Sequence, residues 1–242
     1  RWESDMTEPA SIPDAVLFDF DGVIVDSEPL HCAAFVRVLE PLGMALSWED
    51  YAEKYLGYDD RGVFREVFKN AGRELEEARL RPLIEAKAQA FEDLARTQKP
   101  KSYPGVVELI RSLAGRVPLA LCSGALRRDV APILAGLGID RAFDVLVTAD
   151  DVHASKPDPS SYLLALERLR ATFPRRRIRA DRSVAIEDTP AGITAAQGAG
   201  VCVLALANTY PPEVLRNAAR VVASLENVGL RELGALLEEQ GE

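Results

Sequence analysis

Short apolar runs that alternate with longer stretches of helical periodicity constrain the fold of this 242-residue chain most strongly. Their continuous apolar character suits strands that are buried on both faces of a parallel sheet. Because helical stretches separate them, the pattern predicts a doubly wound α/β domain with right-handed crossovers. Five runs are predicted strands: residues 15–20, 117–122, 145–148, 183–186 and 202–207.

One long interval interrupts this alternation. Between residues 27 and 104 the sequence contains no convincing strand, and about seventy helical residues are too many for a single crossover connection. We therefore predict a small α-helical cap domain of residues 28–99, inserted into a Rossmann-like core of residues 1–27 and 100–242. Four stretches of the insertion have helical periodicity: residues 30–42, 48–56, 63–69 and 76–95.

Composition excludes several other classes of protein. With 48% hydrophobic and 28% charged residues, the chain is neither disordered nor collagen-like. Its formal net charge of −9 argues against nucleic acid or an anionic membrane as a partner. No apolar run approaches the ~18 residues of a membrane span, and the three cysteines lack metal-ligand spacing. We expect a cytoplasmic monomer with reduced thiols and no signal peptide at its N-terminus.

Acidic residues follow two predicted strands that the common strand order 3-2-1-4-5 makes neighbours. Asp19 and Asp21 end the first strand, with Gly22 behind them for a tight turn, and Glu187 and Asp188 end the fourth. Ligands bind outside the carboxyl ends of such strands. Four carboxylates there require a hard cation, and oxygen ligands in a chain with two histidines predict Mg²⁺ rather than zinc. An EF-hand loop is excluded because no further acidic ligand follows at the required spacing.

Two other predicted strands are followed by groups that suit an anion. Ser123 and Gly124 follow the second strand, where a hydroxyl and exposed N–H groups at the start of a helix can hold a phosphate. Lys156 lies in the loop after the third strand and can balance the carboxylates. Each feature alone is typical of an ordinary turn or a solvated lysine, so only their combination with the acidic residues indicates a site.

Four segments, in this order, resemble the motifs of the haloacid dehalogenase-like hydrolases. The helical insertion resembles the small cap of the branch that contains β-phosphoglucomutase and many sugar-phosphate phosphatases. The resemblance covers nearly the whole chain and implies the Rossmann-like core with a cap. The segments are DFDGVIVDS at 19–27, CSGA at 122–125, SKPDP at 155–159 and EDTPAGI at 187–193.

The resemblance also implies a role for each residue of these segments. Asp19 is then the nucleophile that forms an aspartyl-phosphate, and Asp21 is the general acid and later the base that activates water. Mg²⁺ is then held by Asp19, the main-chain carbonyl of Asp21 and Asp188, with Glu187 assisting directly or through water. Three residues then bind the transferring phosphoryl group: Ser123, Gly124 and Lys156.

The predicted cap carries weaker signals about the substrate. His31 and Lys87 resemble cap residues of the β-phosphoglucomutase branch, although a structural hydrogen bond explains His31 about as well and an amphipathic helix explains Lys87. In the segment 57–61, Asp60 stands where the mutase has an arginine that grips the distal phosphate of the sugar, and Arg61 follows one place later.

Loss of that cationic anchor affects a mutase more than a simple hydrolase, because a mutase must hold two phosphates. The prediction is therefore a Mg²⁺-dependent phosphatase that acts on a small phosphorylated metabolite, a sugar phosphate, through an aspartyl-phosphate. Two alternatives remain: a phosphosugar mutase of the β-phosphoglucomutase type, and a catalytically silent protein that binds a phosphorylated metabolite.

Overall fold

The computed structural model describes residues 11–55, 58–98 and 100–239. All strand pairs in its single sheet are parallel. The strands are β1 (Val16–Phe18), β2 (Leu119–Cys122), β3 (Val145–Val147), β4 (Val184–Glu187), β5 (Cys202–Leu206) and β6 (Arg220–Val222). Their spatial order is β3-β2-β1-β4-β5-β6, so the predicted order is confirmed and β6 extends the sheet beyond β5.

The described helices are α1 (Glu28–Leu39), α2 (Trp48–Lys54), α3 (Asp60–Asn70), α4 (Glu77–Thr97), α5 (Val106–Leu113), α6 (Arg127–Leu137), α7 (Ser160–Thr172), α8 (Pro190–Gly198) and α9 (Leu230–Glu239). Helices α5, α6 and α9 share one buried cluster with alternate residues of the strands, and α7 and α8 share the other. On β1, Val16 and Phe18 belong to the first cluster and Leu17 to the second. This alternation is the two-residue period of a strand buried on both faces, and it confirms the doubly wound fold.

The register of the sheet sets which residues leave the strands together. Phe18 on β1 pairs with Leu121 on β2 and with Ile186 on β4. Asp19 and Glu187 follow Phe18 and Ile186 directly, so both leave the sheet at the same edge. The sheet therefore brings together residues that lie far apart in the sequence.

The chain divides into two compact units, and the boundaries fall between Val25 and Asp26 and between Lys101 and Ser102. The inserted unit, Asp26–Lys101, contains α1 to α4, and its described residues include no strand. It has its own apolar core, in which Phe35 contacts Phe64 edge-to-face. The end of the predicted stretch 48–56 and Gly57 lie outside the described residues.

Two expectations from composition concern the whole chain. The three cysteines Cys32, Cys122 and Cys202 are free. Among the residues that the structure describes, none of the helices combines the length and the apolar character required to cross a membrane.

Candidate active site

Side chains from three separate segments meet around Asp19, which follows β1 and is buried. Its Oδ1 accepts a hydrogen bond from Lys156 Nζ at 2.5 Å. The same ammonium group donates to Oε1 of Glu187, at the end of β4, at 2.6 Å. Lys156 lies in the loop between β3 and α7. Asp19, Lys156 and Glu187, which belong to three different sequence motifs, therefore form one ion-pair cluster.

This cluster holds more negative than positive charge. Burial raises the pKa of Asp19 to about 7; Lys156 opposes the rise, and Glu187 and Asp21 add to it. Burial acts to lower the pKa of Lys156, but the carboxylates of Asp19 and Glu187 outweigh burial and raise that pKa. Burial, Asp19 and Glu187 hold the pKa of Asp188 well above its usual value. One ammonium group therefore does not balance the negative charge of these carboxylates, and a bound cation would supply the missing positive charge.

The carboxylate of Asp188 has one oxygen that no described protein group uses. Its Oδ2 accepts a hydrogen bond from the Thr209 hydroxyl, whereas its buried Oδ1 has no hydrogen-bond partner among the described residues. Carboxylate oxygens of Asp19, Glu187 and Asp188 lie within 4.8 Å of one another. An unsatisfied buried acceptor costs about 1–3 kcal/mol, and clustered carboxylate oxygens are the ligands that Mg²⁺ prefers. These residues therefore fit a magnesium ion.

The turn that follows Asp19 packs against the carboxylate of Asp188. Gly22 has φ +81°, in the left-handed region that favours glycine, and its N–H donates to the Val25 carbonyl at 2.9 Å. A β-carbon at Gly22 would collide with the Asp188 side chain and lie 2.8 Å from Thr209 Oγ1. Asp21, just before this glycine, is partly exposed. The glycine is therefore required both for the turn and for the close approach of Asp188.

Ser123 and Gly124 leave β2 at the same edge of the sheet. Ser123 is buried; its N–H donates to the Val147 carbonyl, and its Oγ accepts a hydrogen bond from the N–H of Ala125, both at 2.9 Å. Gly124 is exposed, and a β-carbon there would meet nothing within 4 Å. The hydroxyl proton of Ser123 and the exposed main chain of Gly124 are thus groups that an anion can use.

Glu187 has a second buried partner, Tyr162 of α7. The Tyr162 hydroxyl donates to Oε1 of Glu187 at 2.5 Å, and Lys156 Nζ lies 5.2 Å from the centre of the tyrosine ring. Gly192 of α8 makes room for this arrangement, because a β-carbon there would collide with the Glu187 carboxylate. Oε1 of Glu187 is thus shared by a phenol and an ammonium group, which orients the lysine.

The cap residues form a separate cluster inside the inserted unit. Lys87 of α4 is 3% exposed, and its Nζ lies 2.7 Å from both Asp60 Oδ1 and His31 Nδ1. The His31 ring stacks on Phe91 with centroids 4.4 Å apart. Burial, followed by the charge of Lys87, holds the pKa of His31 well below its usual value. Arg61 instead donates to Glu77 Oε1 at 3.3 Å, with its side chain 60% exposed.

Sequence reasoning missed Tyr162, Asn208 and Thr209. Asn208 and Thr209 follow β5 at the same sheet edge as the acids, so the rule that selected Asp19 and Glu187 also points to them. Asn208 Nδ2 donates to the carbonyl of Gly22 at 2.8 Å. No comparable signal marked Tyr162, because an aromatic residue inside a helix ordinarily belongs to the core.

Comparisons with known proteins agree with the motifs. Residues 16–206 match the family described as haloacid dehalogenase-like hydrolase. A phosphorylated carbohydrates phosphatase of Thermotoga maritima is 34% identical over 192 residues, which cover 78% of this chain and 82% of that protein. A fructose-1-phosphate phosphatase of Escherichia coli is 30% identical, with 77% of this chain and 92% of that protein covered.

Solved structures share the fold. The crystal structure of CbbY from Rhodobacter sphaeroides in complex with phosphate superposes with a TM-score of 0.78 at 26% identity. The match covers 92% of this chain and 99% of the CbbY chain. The core and the inserted helical unit are therefore both parts of an architecture that is already known.

Proposed function

The chain belongs to the haloacid dehalogenase-like hydrolase family, and we propose that it is a Mg²⁺-dependent phosphatase. Its substrate is a small phosphorylated carbohydrate, and the reaction proceeds through an aspartyl-phosphate. The family membership inferred from the four motifs is confirmed. Two relatives that cover most of the chain are named as phosphatases of phosphorylated carbohydrates or of fructose 1-phosphate, and this supports the substrate class.

The observation that carries the proposal is the buried cluster of Asp19, Lys156, Glu187 and Asp188. It presents a nucleophilic carboxylate, an ammonium group within 2.5 Å of that carboxylate, and an Asp188 oxygen without a described protein partner. Hydrolysis of a phosphate monoester requires these functions together, because a carboxylate must approach a phosphate that repels it.

In the first proposed step, an oxygen of Asp19 forms a bond to phosphorus while the bond from phosphorus to the sugar oxygen breaks. Asp21 gives its proton to the departing sugar oxygen. Asp21 then takes a proton from a water molecule that attacks the phosphorus, and the bond to Asp19 breaks to release inorganic phosphate. Covalent transfer thus replaces one difficult displacement by two easier ones.

The remaining residues bind and orient the phosphoryl group. Lys156 and Ser123 donate hydrogen bonds to its oxygens, and Gly124 contributes its exposed main chain. The residues that would hold Mg²⁺ are Asp19, Asp188 and the main-chain carbonyl of Asp21, with Glu187 contributing directly or through water. When bound, the ion supplies positive charge that offsets the repulsion between the nucleophile and the phosphate.

We assign substrate selection to the inserted unit as a cap domain. His31, Lys87 and Arg61 are its candidate substrate residues, and the Asp60 carboxylate beside Lys87 reduces the net positive charge available to a second phosphate. This charge balance favours a substrate with one phosphate, and hence hydrolysis rather than a mutase reaction.

The test is release of inorganic phosphate from p-nitrophenyl phosphate and from a panel of sugar, polyol, nucleotide and glycolate phosphates, with and without Mg²⁺. The wild-type chain should release phosphate only with Mg²⁺. Asp19→Asn should retain less than about a thousandth of the rate because its amide is a poor nucleophile. The matched control is Asp140→Asn at an exposed position, which should keep the wild-type rate.

Three results would contradict the proposal. Residual activity of Asp19→Asn above that level would exclude the covalent mechanism. No release from any compound would favour a silent binder. In an incubation with β-glucose 1-phosphate and catalytic glucose 1,6-bisphosphate, formation of glucose 6-phosphate faster than free phosphate would identify a mutase.

A further inference from the structure

Two polar residues that follow β5, Asn208 and Thr209, are hydrogen-bonded to the segments that carry the acidic residues. The Thr209 hydroxyl donates a hydrogen bond to Asp188 Oδ2, and Asn208 Nδ2 donates to the carbonyl of Gly22 at 2.8 Å. One short segment after β5 is therefore bonded both to the residue that follows β4 and to the turn that follows β1.

The contacts make the two oxygens of Asp188 inequivalent. Oδ2 is held by Thr209 and packed against Gly22, where a β-carbon would collide with it. Oδ1 is buried and has no hydrogen-bond partner among the residues described. Asp188 is 1% exposed, so water does not compete freely for either oxygen. Rotation of the carboxylate would exchange the oxygens only by breaking the hydrogen bond from Thr209.

We propose that Thr209 is a positioning residue that holds Asp188 Oδ2 and thereby dedicates Oδ1 to a divalent cation. The inference rests on the proposed Mg²⁺-dependent function. Hydrogen bonds to a metal-binding carboxylate fix its orientation, and their loss typically weakens metal affinity or activity by 10–100-fold. Asn208 completes the arrangement by holding the turn at Gly22, against which Asp188 packs.

The experiment measures Mg²⁺ binding to the full chain by isothermal titration calorimetry, without substrate. Thr209→Val replaces the hydroxyl by a methyl group of similar size, and Thr209→Ser keeps the hydroxyl. We expect Thr209→Val to weaken Mg²⁺ binding at least tenfold and Thr209→Ser to remain within threefold of the wild-type protein. The control Thr172→Val removes an exposed hydroxyl that bonds the Arg168 carbonyl and should leave Mg²⁺ binding unchanged.

Kinetics provide the second measurement. The Mg²⁺ concentration that half-saturates phosphatase activity should rise at least tenfold in Thr209→Val, and Thr209→Ser should restore it. A merely structural role would lower thermal stability in the absence of metal and leave this concentration unchanged.

The outcomes separate the two proposals. If the wild-type protein binds Mg²⁺ and Thr209→Val binds it within twofold as tightly, the positioning role is wrong and the proposed function stands. Binding by Thr209→Ser as weak as by Thr209→Val would also overturn the role of the hydroxyl. If the wild-type protein binds no Mg²⁺ at millimolar concentration, both the metal-dependent function and the inference fail.

Discussion

The buried Tyr162 hydroxyl bonds Glu187, which also bonds Lys156, so its contact with the candidate site is indirect. Tyr162→Phe keeps the packed ring and removes the hydrogen bond to Glu187 Oε1, so Lys156 loses part of the support for its position. We expect kcat/KM for phosphate release to fall about tenfold, within the range found for residues that orient a ligand-binding group. Steady-state kinetics measure the loss.

The inserted unit offers a matched control for this variant. The buried Tyr51 also donates to a glutamate, Glu28 Oε2, at 2.7 Å. Tyr51→Phe should lose a similar hydrogen-bond contribution to stability, about 1 kcal/mol, and keep wild-type kinetics. Equal effects of the two variants on kcat/KM would mean that Tyr162 serves only the stability of the chain.

His31 should remain uncharged over the neutral range. Burial and the nearby Lys87 lower its pKa in the folded state, whereas in the unfolded chain a histidine titrates near pH 6.5. Protonation therefore favours the unfolded chain, and the stability of the inserted unit should decrease as the pH falls below about 6.5. Histidine side-chain NMR signals recorded from pH 8 to 5 measure the protonation directly.

The chain has two histidines, so His153→Gln leaves the His31 signal alone in the spectrum. That signal should titrate with a midpoint well below the ordinary value near pH 6.5, because burial and Lys87 disfavour the protonated ring. A titration midpoint above pH 6 would contradict the buried arrangement with Lys87 and Phe91.

Much of the candidate site follows from residue types and their order along the chain. Asp19, Lys156 and Glu187 come from separate motifs, and the rule that ligands bind at the carboxyl ends of strands predicts their meeting. Tyr162 and Thr209 could not be found in the same way, because their importance depends on which carboxylate oxygen each hydroxyl reaches. Such a contact depends on side-chain geometry, which spacing along the sequence does not specify.

At the level of elements, a turn after β3 ties two helices to the sheet. Asp151 Oδ2 accepts hydrogen bonds from the N–H and hydroxyl of Thr148, both at 2.9 Å, and from Arg127 of α6 at 3.1 Å. Its Oδ1 accepts from Arg168 of α7 at 2.8 Å. Although burial acts to raise the pKa of Asp151, bonds from Arg168, Thr148 and Arg127 hold it well below its usual range.

We expect Asp151→Asn to lower the free energy of unfolding by about 1–2 kcal/mol at pH 7, allowing for the partial exposure of both arginines. A carboxylate with a depressed folded-state pKa stabilises the protein above its unfolded pKa, near 3.9. The difference between the variant and the wild-type protein should therefore shrink as the pH falls to 3.5. Urea unfolding at pH 7 and 3.5 checks this, and an equal or larger difference at pH 3.5 would contradict it.

The elements differ in how well the sequence predicts them. The strands β1, β2 and β4 are fully buried and read as continuous apolar runs, so their position and order are recoverable. The sequence did not predict β6, because its three residues Arg220–Val222 are only partly buried and form no run that stands out from a loop. This edge strand lacks the two buried faces that produce the signal, whereas β3, at the other edge, has two buried residues within a recognisable apolar run.

At the scale of the whole molecule, the sequence indicates the insertion by a long interval without a predicted strand. Length alone indicates an extra unit, because an ordinary crossover does not need four helices. The internal structure of that unit was less accessible. The pairing of Lys87 with both His31 and Asp60 joins three helices, and helical periodicity does not specify which polar side chains meet inside such a bundle.

The insertion after β1 also affects the order in which a growing chain can acquire structure. Asp26–Lys101 is one uninterrupted stretch, so a nascent chain can bury its apolar core as soon as Lys101 has left the ribosome. The first strand is synthesised earlier but obtains its neighbours only when residues 119 and 184 have followed. Asp19 therefore acquires its surroundings late in synthesis, once the whole inserted segment and the strands β2 and β4 have been made.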